Sequence, residues 1–342
     1  MKKNPRIICF LTAAVLLALA LCPAGIAGAE GTGGRIIVSL GDSSSSGEGL
    51  LPFIGQELPD EEKEQSFAWV AHRSLRAWPG LLTLPGVSGT MADHYGENWF
   101  LVAASGAMID ALKTGQTRTV DRVTHSEVTL PPQLDIFKEL GDRKADYVTV
   151  TLGGNDVGFK EILTVALTTS AANAPEPLNV FIEAMWKGFF AEGGVRDRLQ
   201  AAYHDIAEAA GPQAVIIVVG YPLLISDNGG GFVFDSVEAQ RINEETSRFN
   251  QEIQAIVEEC RAEGLNICFV SVEEEFTGHG AYTASAYVNG IVYGANAEDI
   301  DQHYPVSSAS MHHNAKGAEA YARCVQTLID ELEAEKAKGI SD

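Results

Sequence analysis

Residues Ile36 to Leu50 read Ile-Ile-Val-Ser-Leu-Gly-Asp-Ser-Ser-Ser-Ser-Gly-Glu-Gly-Leu. An apolar, β-branched run reaches Leu40 and breaks at Gly41 into a polar turn of mostly small residues. A buried strand that delivers small polar side chains to the edge of a sheet has this pattern. In open α/β sheets, ligands and chemistry sit at the carboxyl ends of the strands. A serine there can meet an incoming carbonyl, and Ser43 is the candidate nucleophile; Ser44, Ser45 and Ser46 are rivals on position alone. The plainer alternative is a Ser-rich linker. Acyl transfer by serine also requires a general base and donors for the charge that develops on the carbonyl oxygen. The backbone N–H of Ser43 is one candidate donor. Gly106, where a second strand stops, offers an N–H that no side chain obstructs. Asn155, where a third strand stops, offers its amide. Taken singly, Gly106 and Asn155 also fit ordinary turn chemistry.

The base should be a histidine, whose unperturbed pKa lies near neutrality. Of the eight histidines, His312 and His313 stand in Ser310-Met311-His312-His313-Asn314-Ala315-Lys316-Gly317. With His303 they could instead bind a metal, but acidic and cysteine ligands at tight spacing are missing, which disfavours zinc. His72, His94, His125 and His204 read as surface or packing residues.

The elements that must bring these residues together alternate along the chain. Strands are predicted at 36–40, 97–106, 147–152, 214–219 and 266–272. Helical patterns fall at 67–82, 131–140, 194–210, 238–263 and 315–336, and 113–127 reads as a polar stretch. The apolar region 157–193 reads as an ordinary core helix or, functionally, as a wall over an acyl pocket. Strands alternating with helices predict one α/β domain: a three-layer α/β/α sandwich with a mainly parallel five-stranded sheet.

Taken together, the four blocks resemble the SGNH hydrolases, or GDSL family of esterases and lipases, in the secreted bacterial branch. Gly41-Asp42-Ser43 with Ser46-Gly47-Glu48-Gly49 is similar to the first block and Ser105-Gly106-Ala107 to the second. Gly153-Gly154-Asn155-Asp156 is similar to the third, and Ser310-Met311-His312 with Asn314 and Gly317 to the last. His72-Arg73-Ser74, Gly220-Tyr221-Pro222 and Phe276 with Gly278-His279 are further similar stretches. The resemblance implies a flavodoxin-like fold and ester hydrolysis without metal or cofactor. It also implies Ser43 as nucleophile, His312 as base, and an oxyanion hole of Ser43 N–H, Gly106 N–H and Asn155. Three departures matter. Ala309 stands where the family often has an aspartate orienting the base, so a Ser43–His312 dyad held by the carbonyl of Ala309 is expected, with Asp299 or Asp301 as substitutes. His313 replaces the usual proline after the base. Ala71 and Ala104 occupy positions where secreted relatives often pair cysteines.

At the N-terminus Lys2, Lys3 and Arg6 precede the apolar run Ile7 to Leu21, and Ala27-Gly28-Ala29 forms a small-x-small site. This is the pattern of a secretory signal cleaved after Ala29, leaving residues 30–342 as one exported domain. Leu21 is bulky for lipidation at Cys22, so no stable membrane anchor is expected. Without the leader the chain carries 21 Lys plus Arg against 46 Asp plus Glu, a net charge of −25. Such a surface repels nucleic acid and anionic lipid and favours neutral or cationic partners; the resemblance implies a small-molecule or lipid ester as the partner. Of the remaining cysteines, Cys260, Cys268 and Cys324, the first two are the expected disulfide pair. The resulting expectation is a secreted serine esterase or lipase. A carbohydrate O-deacetylase of the same fold and a non-catalytic exported binding module are the alternatives.

Overall fold

Five runs of β-branched and aromatic residues form one sheet: β1 Ile37–Gly41, β2 Trp99–Leu101, β5 Tyr147–Thr151, β6 Val215–Val219 and β7 Ile267–Val270, in the order β2-β1-β5-β6-β7 with every pairing parallel. Every residue of β1, β5 and β6 is buried. Strands buried on both faces require helical layers above and below, which is how parallel sheets occur. This computed structural model describes residues 34–121, 126–168, 176–230, 233–294 and 305–339. The expected signal segment 1–29, His125, Asp299, Asp301 and His303 lie outside those ranges.

The order reverses at β1, so the crevice between the carboxyl ends of β1 and β5 is the switch point where this topology places ligands. Polar side chains bond across the sheet just below it. Ser39 Oγ accepts from Trp99 Nε1 at 3.0 Å and from Thr149 Oγ1 at 2.9 Å, linking β2, β1 and β5.

The helices are α1 Ser43–Ser46, α2 Asp60–Lys63, α3 Phe67–Val70, α4 Ile136–Glu139, α5 Phe159–Thr168, α6 Glu176–Phe189, α7 Val195–Ala210, α8 Ser236–Ala262, α9 Glu273–Phe276 and α10 Ala315–Gly339. The long helix α8 starts where its sequence says it should: Asp235 accepts from Val237 N and Glu238 N, and Glu238 reaches back to Asp235 N in a capping box. Helices α7, α8 and α10 lie within two residues of their predicted starts.

Three local expectations are corrected. The predicted helix over 67–82 is only the single turn α3, because His72 turns left-handed at φ 53° and ends it; a 3-10 turn follows at Trp78–Leu81. The polar stretch 113–127 instead enters an antiparallel hairpin of β3 Gln116–Asp121 and β4 Ser126–Leu130. The pattern over 131–140 is a 3-10 turn at Gln133–Asp135 running into α4.

Cys260 and Cys268 are not bridged. Cys260 lies on the buried stripe of α8 and Cys268 is committed to β7, so both serve as core residues. Burial, with Glu263 and Glu259 nearby, pushes the Cys260 thiol up to about 11.

Candidate active site

Gly41 ends β1 at φ 113°, and a Cβ there would stand 2.0 Å from Thr151 O, so only glycine permits this exit from the strand. Gln133, buried beneath the turn, grips both sides of Gly41: its Oε1 accepts from Gly41 N at 2.7 Å and its Nε2 donates to Gly41 O at 2.9 Å. Asp42 then caps α1, accepting from Ser44 N at 3.0 Å, from Thr151 Oγ1 at 2.8 Å and from Tyr221 Oη at 2.5 Å. The Tyr221 hydroxyl also accepts from Gly154 N at 3.0 Å. One phenol thus ties the turn after β1 to the turn after β5 and the exit of β6. Burial pushes both the Asp42 carboxyl and the Tyr221 phenol up.

Ser43 opens α1, and its Oγ lies 2.7 Å from His312 Nε2 across 269 residues of sequence. Of the neighbouring hydroxyls, Ser45 Oγ bonds Thr151 Oγ1 at 2.9 Å, and Ser46 Oγ is buried. His313 is buried against Tyr321 with ring centroids 5.0 Å apart, and burial followed by the charge of His312 drives its imidazole down to about 3.

The expected orienting carbonyl is corrected by one residue. His312 Nδ1 lies 3.1 Å from Ser310 O, whereas Ala309 O accepts from the His312 main-chain N–H and from Asn289 Nδ2, both at 3.3 Å. Met311 adopts φ 60°, which curls the turn so that the ring reaches the nearer carbonyl.

Two candidate donors for a developing oxyanion stand at two further strand ends. Gly106, at φ 73° after β2, is exposed, and its N–H has no acceptor among the described residues. Asn155 Nδ2 gives one hydrogen to Ala107 O at 2.9 Å, which leaves the other free. Asp156 holds the same loop through Ile109 N at 3.0 Å and is itself paired with Arg198 at 2.9 Å.

Residues of the first block and of the further similar stretches support the site from beneath. Arg73 Nε and Nη2 bond Ala103 O at 2.9 Å and Val102 O at 2.8 Å, fixing the exit of β2. His72 Nδ1 pairs with the wholly buried Glu48 at 2.7 Å, and the ring stacks on Phe53 at 4.5 Å. Burial opposes charge on Glu48, yet His72 outweighs it and holds the carboxyl down at about 2. Ala71 and Ala104 share one small apolar cluster, and Ser105 N donates to Ala71 O at 3.0 Å, so apolar packing joins these positions.

The apolar region 157–193 divides by face. Leu178, Ile182, Met185, Trp186 and Phe189 of α6 are core, which is the ordinary reading, while Val180 and Phe190 face solvent. Among the described residues, the ligand atoms of His204, Cys260 and Glu263 lie within 4.8 Å of one another. That cluster sits on α7, α8 and the residue capping α8, away from the strand ends that carry Ser43, and His204 Nε2 already pairs with Glu263 Oε2 at 2.7 Å. No helix among the described residues is long and apolar enough to cross a membrane.

Comparison with known proteins bears on this arrangement. The GDSL-like lipase/acylhydrolase profile matches residues 37–325. Lipase 1 of Streptomyces coelicolor is 24% identical over 288 residues, covering 84% of this chain and 88% of that protein. Phospholipase A1 of Streptomyces albidoflavus NA297 superposes with a TM-score of 0.59 at 21% identity, covering 86% of this chain and 99% of its own. The extracellular lipase of Streptomyces rimosus gives 0.56 at 20% identity, covering 87% and 99%. These two superpositions establish a shared fold. Since the profile runs from β1 into the terminal helix, the chain belongs to the GDSL-like lipase/acylhydrolase family and is an ester hydrolase.

Proposed function

We propose that the chain is an exported serine esterase or lipase that cleaves carboxylic esters through an acyl-enzyme on Ser43, with His312 as general base. The observation that carries this is the 2.7 Å approach of Ser43 Oγ to His312 Nε2 at the switch point of the sheet. His312 Nε2 takes the hydroxyl proton as Ser43 Oγ bonds to the ester carbon. The carbonyl oxygen becomes an oxyanion facing Ser43 N–H, Gly106 N–H and the free Asn155 hydrogen. Collapse of this intermediate breaks the bond to the alcohol, which leaves with the proton from His312. Water then gives a proton to His312, attacks the acyl-enzyme and releases the acid, and the proton returns to Ser43.

The Ser310 carbonyl fixes the imidazole with its hydrogen on Nδ1, so Nε2 is the basic atom facing Ser43. The charged, apolar and small-residue segments of positions 1–29 support export.

On a short p-nitrophenyl ester, Ser43→Ala and His312→Ala should each lower kcat by at least about 10⁴-fold with an unchanged circular dichroism spectrum. Activity retained by Ser43→Ala would remove the assignment. An acyl series from acetyl to palmitoyl then separates lipase from deacetylase, with activity on acetyl alone contradicting the lipase reading.

A further inference from the structure

The carbonyl oxygen of Ser105 accepts two side-chain hydrogen bonds from the β3–β4 hairpin, from Arg118 Nη1 at 2.8 Å and from Gln116 Nε2 at 2.9 Å. That carbonyl and the N–H of Gly106 belong to one peptide unit. The peptide is planar, so holding the oxygen at one end sets the direction of the hydrogen at the other. The two ends are treated oppositely: the oxygen has two donors, while the N–H is exposed and has no acceptor among the described residues.

We propose that Arg118 and Gln116 are positioning residues for ester hydrolysis: by bonding Ser105 O they lock and polarise the peptide whose Gly106 N–H receives the substrate's oxyanion. This rests on the reading of Gly106 as an oxyanion donor.

Gly106 sits at φ 73° with no Cβ to resist rotation of its flanking peptide, so the plane has little intrinsic reason to keep one orientation. A flip would turn a carbonyl oxygen toward the developing negative charge. Two donors on Ser105 O exclude that state, and on the other side Ser105 N is held by Ala71 O. The bond from Arg118 is charge-assisted, the stronger kind. Hydrogen bonds in series reinforce one another, so donation to the oxygen makes the N–H a better donor. Gln116 meanwhile leaves its own Oε1 buried with no partner among the described residues, a cost that simple packing would not select.

The hairpin offers its own control. Thr117 Oγ1 and Thr129 Oγ1 bond each other at 3.0 Å on its exposed face and do not touch Ser105. Arg118→Ala, Gln116→Ala, the double variant and Thr117→Ala should be compared with the parent by kcat and KM on a p-nitrophenyl ester, by Tm, and by inhibition with a trifluoromethyl ketone. Ser43 Oγ adds to the carbon of that ketone and passes its proton to His312, leaving an oxyanion that reports the hole directly. Arg118→Ala should lower kcat about tenfold and the double variant toward the roughly 100-fold loss of a whole oxyanion donor. KM should be unchanged, and ketone affinity should fall by the same factors as kcat. Thr117→Ala should leave kcat and ketone affinity as in the parent.

Parental kcat in the double variant would overturn the proposal, as would an equal loss in Thr117→Ala, or a kcat loss without weaker ketone binding. An active Ser43→Ala would instead overturn the underlying acyl-enzyme reading, which separates the two failures.

Discussion

Among the described residues the imidazole of His312 meets a main-chain carbonyl, Ser310 O, at the nitrogen where a triad would use a carboxylate, and the consequences of the proposed dyad are testable one residue at a time. Because the acceptor is the backbone of Ser310, replacing its side chain should spare catalysis. Ser310→Ala gives up the Oγ bonds with Val292 at 2.9 and 3.2 Å. It should therefore lower Tm while costing nothing like the about 10⁴-fold loss that follows removal of a triad carboxylate; a kcat measurement beside a thermal melt checks both halves. His313 makes a separate prediction. Its imidazole is held at about 3 against an ordinary value of 6.5, so below 6.5 the unfolded chain binds a proton that the folded chain refuses. Stability is then complete above 6.5 and falls as pH drops toward 3, by at most about 1.4 kcal/mol per pH unit from this group. Urea unfolding between pH 7 and 5 should show that slope in the parent and a shallower one in His313→Gln. Glu48 does not confuse this window. Its carboxyl is held near 2 against an ordinary 4.5, so its contribution is present above 4.5 and is lost only as pH falls from there toward 2.

Between elements, Tyr221 is the tie that keeps the strand ends in register, bonded to Asp42 beside β1 and to Gly154 beside β5. Tyr221→Phe leaves a buried carboxylate oxygen and a buried N–H short of a partner, which should cost about 1–3 kcal/mol. It should also lower kcat by loosening Asn155 relative to Ser43; chemical denaturation and steady-state rates measure the two effects, and a variant unchanged in both would contradict this role. The strands and long helices were legible in the sequence because periodicity and burial agree there: β6, Val-Ile-Ile-Val-Val, cannot be anything but interior. The four site blocks were legible for a related reason, since each is a glycine-bearing break at a strand end or before a helix. The hairpin was not legible. Its first strand reads Gln-Thr-Arg-Thr-Val-Asp, and polar residues at successive positions erase the apolar–polar alternation that marks a strand. The alternate Thr117 and Thr119 are the faint signal it left. The orienting carbonyl was missed by one residue because a left-handed Met311 cannot be foreseen from residue type. The Cys260–Cys268 expectation failed because spacing says nothing about which way a helix face points.

Across the whole molecule, the sheet converts sequence distance into contact. A strand near residue 37 and a turn near residue 312 come together only because the five parallel strands end at the same edge and α10 begins there. The arrangement uses loops from β1, β2 and β5, each tied down by hydrogen bonds from side chains such as Gln133, Arg73 and Tyr221. The acidic surface, with 46 Asp plus Glu against 24 Lys plus Arg, keeps the chain dispersed and leaves neutral esters free to approach. All of this converges on whether Ser43 is activated by His312. The most direct measurement is intact and peptide mass after exposure to a fluorophosphonate, in which an activated serine oxygen displaces fluoride from phosphorus. The parent should gain one adduct, located on the peptide that contains Ser43; His312→Ala should label far more slowly and Ser43→Ala not at all. An adduct on any other serine, or labelling of Ser43→Ala at the parental rate, would contradict the account.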